Sequence, residues 1–397
     1  MVLERETLLH DLYVAYYDAR KHKSRRSYVR HWEENLKENM DVLCDDLIHR
    51  RYKPQPSKCF IVDYPKKREI FAAGFRDRIV HHLYFNYTHA MFERTFIQDT
   101  YSCIRERGTH CGISRMTDFC RRESHNWQRP CYAMNLDIRG YFMHIVRSKL
   151  LEIALKSLDK MSAKRISKDS SRKWCDTLDM DFLRWLTEVI ITLDPRKDCL
   201  IVGEKGDWDG LDPEKSLLKT ADGLGLPIGN LTSQLFSNVY LNKLDQFVKR
   251  NLKCKYYGRY VDDAIIVSAD KQKLLSIIDD IRSFLKRELG LDLHMGKLHI
   301  REVSQGVEFL GAYIKPWRTY TSRRTLERME RKIKQMDFRR PSKVLLSVNS
   351  YLGILQHTKS YKIRRRLFMK SEFLRIGVFD SDMIKYTGRE DFYNRKK

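Results

Sequence analysis

Three aspartates stand where apolar, strand-like runs end, in a chain whose formal net charge is +24. The run CYAMNLDI (131–138) is short and mostly apolar, interrupted by Asn135 and Asp137, which is the pattern of a buried strand that delivers polar side chains at its end. Two further β-prone runs, Lys253–Tyr260 and Ala264–Ser268, flank Val261-Asp262-Asp263 and read as a hairpin with acids at its tip. If these strands are neighbours, three carboxylates converge, and divalent metal is the natural relief of their repulsion. Such a cluster suits Mg²⁺, a hard ion usually held by one or two carboxylates plus waters and substrate phosphates. Two such ions would activate a 3′-hydroxyl and stabilise a pyrophosphate leaving group. The alternative is that Asp262-Asp263 only makes a turn, since Asp is a common turn residue.

The positive charge comes from 76 Lys+Arg against 52 Asp+Glu, and no single tail accounts for it. That spread points to a polyanion, most economically nucleic acid. A chain of 397 residues with 42% hydrophobic content can bury its own cores and is too apolar for disorder. No uninterrupted run approaches ~18–20 apolar residues, so no membrane span and no membrane partner are expected. Glu4, Glu6, His10 and Asp11 break up the amino-terminal apolar residues, unlike a secretory signal. Nine cysteines without a C-x-x-C suggest free thiols in a cytoplasmic protein, with neither a disulfide framework nor a zinc site.

Apolar spacing places helices at 3–17 and 27–50, an amino-terminal helical extension (1–56). Cys59–Val62 and Arg68–Ala72 bracket the connector Tyr64-Pro65-Lys66-Lys67 as a hairpin, and a helix follows at 76–92, whose His81 and His82 read as structural. Segments 160–177 and 203–223 read as surface loops of an insertion on either side of a helix at 180–193. Helices are expected at 231–250 and 271–289, and strands near 292–302 and 307–314, ending at Pro316. From Thr321 onward the pattern is helical and basic.

The glycine-bearing loop and helix GLGLPIGNLTSQLFSNVYLNKLDQFVK (223–249) precede the acidic hairpin closely. Taken in order, KKREIFAAGFRDRIVHH, FIQDTYSCIRERGTH, LDIRGYF, GLPIGNLTSQ, YVDD, LHMGK and VEFLGAYI resemble the motifs of reverse transcriptases. The resemblance covers about residues 57–317, and SVNSYLGILQHTKSYKIRRRL extends it into a thumb. It implies a right-hand polymerase of α/β (α+β) class, with fingers and palm at 57–317, an antiparallel palm sheet, and a helical basic thumb at 318–397. The implied reaction is RNA-directed DNA synthesis from dNTPs on a template RNA and a primer or cDNA strand, with two Mg²⁺ ions for which Mn²⁺ can substitute. The wording IGNLTSQ, with Ile228 where most reverse transcriptases carry glutamine and Gln234 where they carry proline, resembles the enzymes of diversity-generating retroelements. Those copy RNA with errors at adenines and work with a small basic accessory protein. Glu4, Glu6, Glu33 and Glu34 offer an acidic face for such a partner. A reverse transcriptase of antiphage defence, copying a noncoding RNA, shares the same palm motifs, and a noncatalytic RNA-binding protein is the alternative of a different class.

The resemblance also assigns roles. Asp137, Asp262 and Asp263 match the catalytic acids, and the Ile138 carbonyl would complete the metal shell on the nucleotide side. Phe142 matches the residue that excludes a 2′-hydroxyl, its alternative being core packing. Lys66 and Arg68 match cations that grip the triphosphate, the alternative being solvated charge, and Arg78 would support that pocket or the template. Ile228, Gly229 and Gln234 should line the templating base pair, and Lys297 would protonate leaving pyrophosphate. Met295 and Gly296 depart from the subgroup's H-P-x-K, and Ala264 replaces an expected phenylalanine. Arg323, Arg324, Arg328, Lys332, Arg364 and Arg365 are expected to bind nucleic-acid phosphates.

Overall fold

The computed structural model describes residues 3–64 and 66–389; Pro65 of the hairpin connector, the first two residues and the last eight lie outside the described residues. Strands β3 (Tyr132–Leu136) and β6 (Asp263–Ser268) are the inner pair of a four-stranded antiparallel sheet, completed by β5 (Tyr256–Tyr260) beside β6 and β7 (His299–Glu302) beside β3. Both faces of this sheet are covered, which explains runs too apolar to show an exposed polar face. Met134, Leu136, Ala264 and Ile266 face the main core, and Ala133, Ile265 and Val267 face a second core. The second core is closed by Met116, Phe119 and Cys120 of α5 (Thr109–Glu123).

The main core gathers α4 (Phe75–Glu93), α7 (Arg147–Ser162), α8 (Met180–Thr192) and α9 (Leu231–Gln246). The expected amino-terminal helices form as α1 (Arg5–Arg20), α2 (Ser27–Glu34) and α3 (Leu36–Ile48), the second expectation being split at Asn35. Leu8, Leu12, Ala15 and Tyr16 of α1 join the same core as α4, so these helices are built into the body of the protein. Within them Glu33 accepts from the Tyr16 hydroxyl at 2.6 Å and from Arg20 Nε. Half-buried Glu33 is thereby paired within the helix layer, while Glu4, Glu6 and Glu34 are exposed.

The fingers hairpin forms as β1 (Ser57–Val62) and β2 (Arg68–Ala72), in antiparallel register from Lys58–Ala72 to Val62–Arg68. Strand β4 (Cys199–Ile201) was not expected; it adds to β1 in parallel from within the inserted region. Between β3 and α7 lies the single turn α6 (Tyr141–His144), and after β6 come α10 (Lys271–Ser276) and α11 (Ile278–Phe284). Strands β8 (Val307–Phe309), β9 (Ala312–Lys315) and β10 (Arg318–Thr321) make a separate antiparallel sheet. Strand β9 ends just before Pro316, where the strand pattern was expected to end, while β10 beyond Pro316 and Trp317 was not expected.

The carboxy-terminal helices α12 (Arg323–Lys334), α13 (Pro341–Leu355), α14 (Tyr361–Phe368) and α15 (Ser371–Ile376) have their own core of Met329, Ile333, Val348, Leu352, Phe368 and Phe373. The Ser322 side chain caps α12 by accepting from the Thr325 amide. A small hairpin, β11 (Gly377–Phe379) with β12 (Tyr386–Gly388), closes that core and was not expected, because its strands are three residues long. Among the described residues no helix is long and apolar enough to cross a membrane.

Candidate active site

The register of the sheet brings the acids together. Leu136 pairs with Ala264, so Asp137, one residue beyond β3, emerges beside the β5–β6 turn that carries Asp262 and Asp263. Lys297 lies in the turn just before β7 at the same end, and its ammonium donates to Asp137 Oδ2 at 2.7 Å. The departure from H-P-x-K therefore does not displace the lysine from the acids. The His294 amide donates to the Asp137 carbonyl and the Arg139 amide to the Asp292 carbonyl. Those two bonds bracket Ile138 and turn its own carbonyl away from that strand.

Burial and like charge both act on the Asp262–Asp263 pair. Burial, then the neighbouring Asp263 and Asp137, push Asp262 up to about 6. Burial and Asp137 likewise raise Asp263, opposed by Lys66 and Lys297. Asp262 is half-buried and Asp263 exposed, so protein walls them on one side while the cleft side stays open to solvent. Among the described residues no three His, Cys, Asp or Glu side chains are gathered on one ion-binding point, and Asp137 is bonded to Lys297. The donors themselves, hard oxygens sharing a like-charge conflict, fit Mg²⁺.

The turn that presents the acids is strained: Val261 has φ +55°, which a β-branched residue adopts at a cost of about 1–3 kcal/mol.

The fingers hairpin and the GLPIGN loop form the opposite wall. The Phe71 amide donates to the Ile228 carbonyl at 2.9 Å, and the Ala73 amide to Asn230 Oδ1 at 3.2 Å. Gly229 has φ +133°, and a Cβ there would stand 3.0 Å from the Phe71 carbonyl oxygen, so close backbone approach requires glycine. Ile228 and Phe142 pack on the same cluster of Cys59, Phe71, Met143 and Leu217. Phe142 is half-buried, reaching both that cluster and the main core. Gln234, exposed at the first turn of α9, accepts from Cys103 Sγ at 3.2 Å.

Lys66 is exposed on the cleft side, its pKa lowered by partial burial and then by Arg324 and Arg68, while Asp263 pulls the other way. These groups therefore share one electrostatic neighbourhood with the acids. Lys67 is turned aside to the Asp207 and Asp209 carbonyls, 2.7 Å from each. Arg78 is not brought to the acids: its guanidinium donates to the Ala73 carbonyl and the Tyr28 hydroxyl and lies over the Tyr28 ring.

The cations of the carboxy-terminal helices separate. Arg324 approaches Lys66, and Lys332 stands 4.2 Å from the centre of the Tyr64 ring at the fingers tip. Arg323 is solvent-exposed and paired with Glu327, Arg328 is half-buried, and Arg365 is exposed. Arg364 is a correction: it is 7% exposed, donates to the Met383 carbonyl and shares the α14 face of Leu367 and Phe368. An arginine sealed beneath the terminal hairpin cannot reach a phosphate.

Sequence reasoning missed the charges that hold this site from behind. Glu69 on β2 is 1% exposed and accepts from Trp208 Nε1, Ser216 Oγ and the Leu217 and Leu218 amides. It thereby ties the insertion to the fingers hairpin, and the inserted Glu214 pairs with Arg139, two residues from Asp137. Arg259 and Asp245 form an ion pair with no exposed side-chain surface. Only Arg259, a charge between aromatic residues of β5, carried a visible signal, and its partner Asp245 lies on another element.

An antiparallel sheet with carboxylates at the ends of its inner strands, walled by a basic β-hairpin and a helical basic module, is a mixed α/β polymerase fold. The chain belongs to the reverse transcriptase (RNA-dependent DNA polymerase) family, whose profile matches residues 79–314, more than half of the chain. It is similar to Protein YkfC of Escherichia coli, 25% identical over 317 residues, covering 70% of this chain and 72% of that protein. It is also similar to a Putative COX1/OXI3 intron 2 protein of Saccharomyces cerevisiae, 26% identical over 151 residues and covering 24% of this chain. The chain spans only 18% of that protein's length. Among solved structures, telomerase from Candida albicans aligns with a TM-score of 0.48 at 10% identity, over 82% of this chain and 57% of that one. The profile match places the chain in the family without assigning a subgroup.

Proposed function

We propose that this protein is an RNA-directed DNA polymerase that copies a dedicated template RNA from a primer or cDNA strand, using dNTPs. The observation that carries the reading is the meeting of Asp137, Asp262 and Asp263 at one sheet end with Lys297 bonded to Asp137. Asp137 and Asp262, with Asp263 and the Ile138 carbonyl, would hold Mg²⁺. Bound there, the metal would lower the pKa of the primer hydroxyl and neutralise charge on the phosphates. Lys66 and Arg68 bind the triphosphate from the fingers side, where cations meet the growing negative charge. Lys297 holds a proton within reach of the pyrophosphate. Phe142, packed against Cys59 and Phe71 of the hairpin, closes the space a 2′-hydroxyl needs. The acids also argue against a purely RNA-binding role, because carboxylates beside a polyanion gain nothing for binding.

The pH dependence follows from Asp262. Its raised pKa means the carboxylate is lost as a ligand when pH falls through about 6. Synthesis should climb as pH rises through that value and level off above it, with the midpoint moving lower at higher Mg²⁺. A rate constant across pH 5 to 8, in protein that stays folded, contradicts this assignment.

The finer reading is an error-prone enzyme of the diversity-generating type, with a small basic accessory protein as partner. Its support is Ile228, a branched apolar side chain packed on the Phe71 and Leu217 cluster where a long amide would hydrogen-bond the base pair. Ile228→Gln is expected to lower misincorporation opposite template adenine severalfold, measured by sequencing the cDNA. An unchanged error rate defeats this explanation, and faithful wild-type copying of a noncoding RNA favours the defence role instead.

A further inference from the structure

The acid-bearing turn is held from behind by a network that the reaction itself does not use. Val261, whose φ of +55° is unfavourable for a β-branched residue, has both backbone polar groups fixed. Its amide donates to Ser102 Oγ at 3.2 Å, and its carbonyl accepts from Arg259 Nη1 at 2.7 Å. Arg259 is immobilised in turn. Its Nε and Nη2 donate to the two oxygens of Asp245 at 2.7 and 2.6 Å, and Nη1 also donates to Asn238 Oδ1 at 3.2 Å. Tyr257 donates to Asp245 as well, and Asn238 is bonded to both the hydroxyl and the carbonyl of Ser102. Asn238 and Asp245 are seven residues apart on α9, two helical turns, so one helix face carries both anchors.

A buried ion pair is poor value as a source of stability, since apolar side chains of the same volume serve as well or better. The planar guanidinium does what no apolar group can: it spends two N–H groups on Asp245 and still reaches the Val261 carbonyl. We propose that Arg259 is a positioning residue, clamped by Asp245 so that it locks Val261 in the left-handed conformation that sets Asp262 and Asp263 beside Asp137. The assignment rests on the polymerase reading, and it concerns the geometry of the acids alone.

The test uses the full chain on a primed RNA template, with wild type, Arg259→Lys, Ser102→Ala, Val261→Gly and the double variant Arg259→Lys/Val261→Gly. Lysine keeps the charge opposite Asp245 but lacks the planar fork that sets separate nitrogens on Asp245 and on the Val261 carbonyl. Arg259→Lys should lower kcat roughly 30-fold with the dNTP KM within about twofold, in line with the cost of small misplacement at a reacting centre. Mn²⁺ affinity, read by electron paramagnetic resonance on the protein–template complex, should fall in parallel. Glycine adopts positive φ freely, so adding Val261→Gly should restore much of the lost kcat. A role in core stability alone would not be rescued by a more flexible residue.

Wild-type kcat and Mn²⁺ affinity in folded Arg259→Lys would overturn the proposal, and so would a folded double variant without recovery. If Arg259→Lys does not fold, Ser102→Ala decides, because it frees the Val261 amide without stranding a charge: a several-fold lower kcat supports the proposal and an unchanged one overturns it. Wild-type protein that binds primed RNA and makes no DNA would instead defeat the polymerase reading, while the Mn²⁺ comparison still reports whether Arg259 holds the turn.

Discussion

Asp262→Asn is expected to lower RNA-templated DNA synthesis by roughly 10³-fold or more, about 4 kcal/mol of transition-state stabilisation at 1.36 kcal/mol per decade. The substitution keeps the shape of the side chain and removes one negative charge from a crowded cluster. Because burial and the neighbouring acids raise the Asp262 pKa, that charge is unfavourable to the folded state at neutral pH, and it becomes less so as pH falls through about 6. Asparagine should therefore leave thermal stability equal or higher. RNA binding should be retained or slightly tightened, since a carboxylate beside phosphates repels them. Primer extension and filter binding on one preparation separate these effects. Loss of synthesis in proportion to loss of binding, or synthesis near wild type, contradicts the catalytic role.

Glu69→Ala is expected to be the most destabilising change on the fingers side. It strips the acceptor from the Trp208 indole, the Ser216 hydroxyl and the Leu217 and Leu218 amides, in a site where Glu69 is 1% exposed. Stranding buried donors of this kind costs about 3–5 kcal/mol in total, allowing for water entering the gap. Out of a typical stability of roughly 5–15 kcal/mol that is a large share. The insertion should loosen first, exposing segment 203–218 to protease. Activity should fall further than the folded fraction does, because Glu214 from the same segment pairs with Arg139 beside the acids. Denaturant midpoints together with limited proteolysis check this, and a shift below about 1 kcal/mol contradicts it.

The palm was legible in the sequence because its information is local. Each inner strand alternates between two cores, and each acid lies at or next to a strand end, so spacing located the strand ends, while the resemblance singled out Asp137, Asp262 and Asp263 over a plain turn. The fingers hairpin was legible for the same reason: its strands nearly match the expected runs. What stayed hidden depends on partners distant in sequence. Glu69 finds its donors 139 to 149 residues away, Gln234 meets Cys103 across 131, and β4 owes its existence to pairing with β1. Arg364 misled because a run of three arginines reads as solvated, whereas its helical position places it on the stripe of Leu367 and Phe368. Arg259 was hidden because a charge in an apolar strand has no local sign of the Asp245 that neutralises it.

The most direct test of the central claim is primer extension by the purified protein on a defined RNA template with Mg²⁺, supplied in parallel with dNTPs or rNTPs, beside Asp262→Asn. The account predicts DNA copied from the RNA, dependent on dNTPs and absent in the variant. Template–primer bound by folded wild-type protein with no extension, or extension equal in the variant, would contradict it.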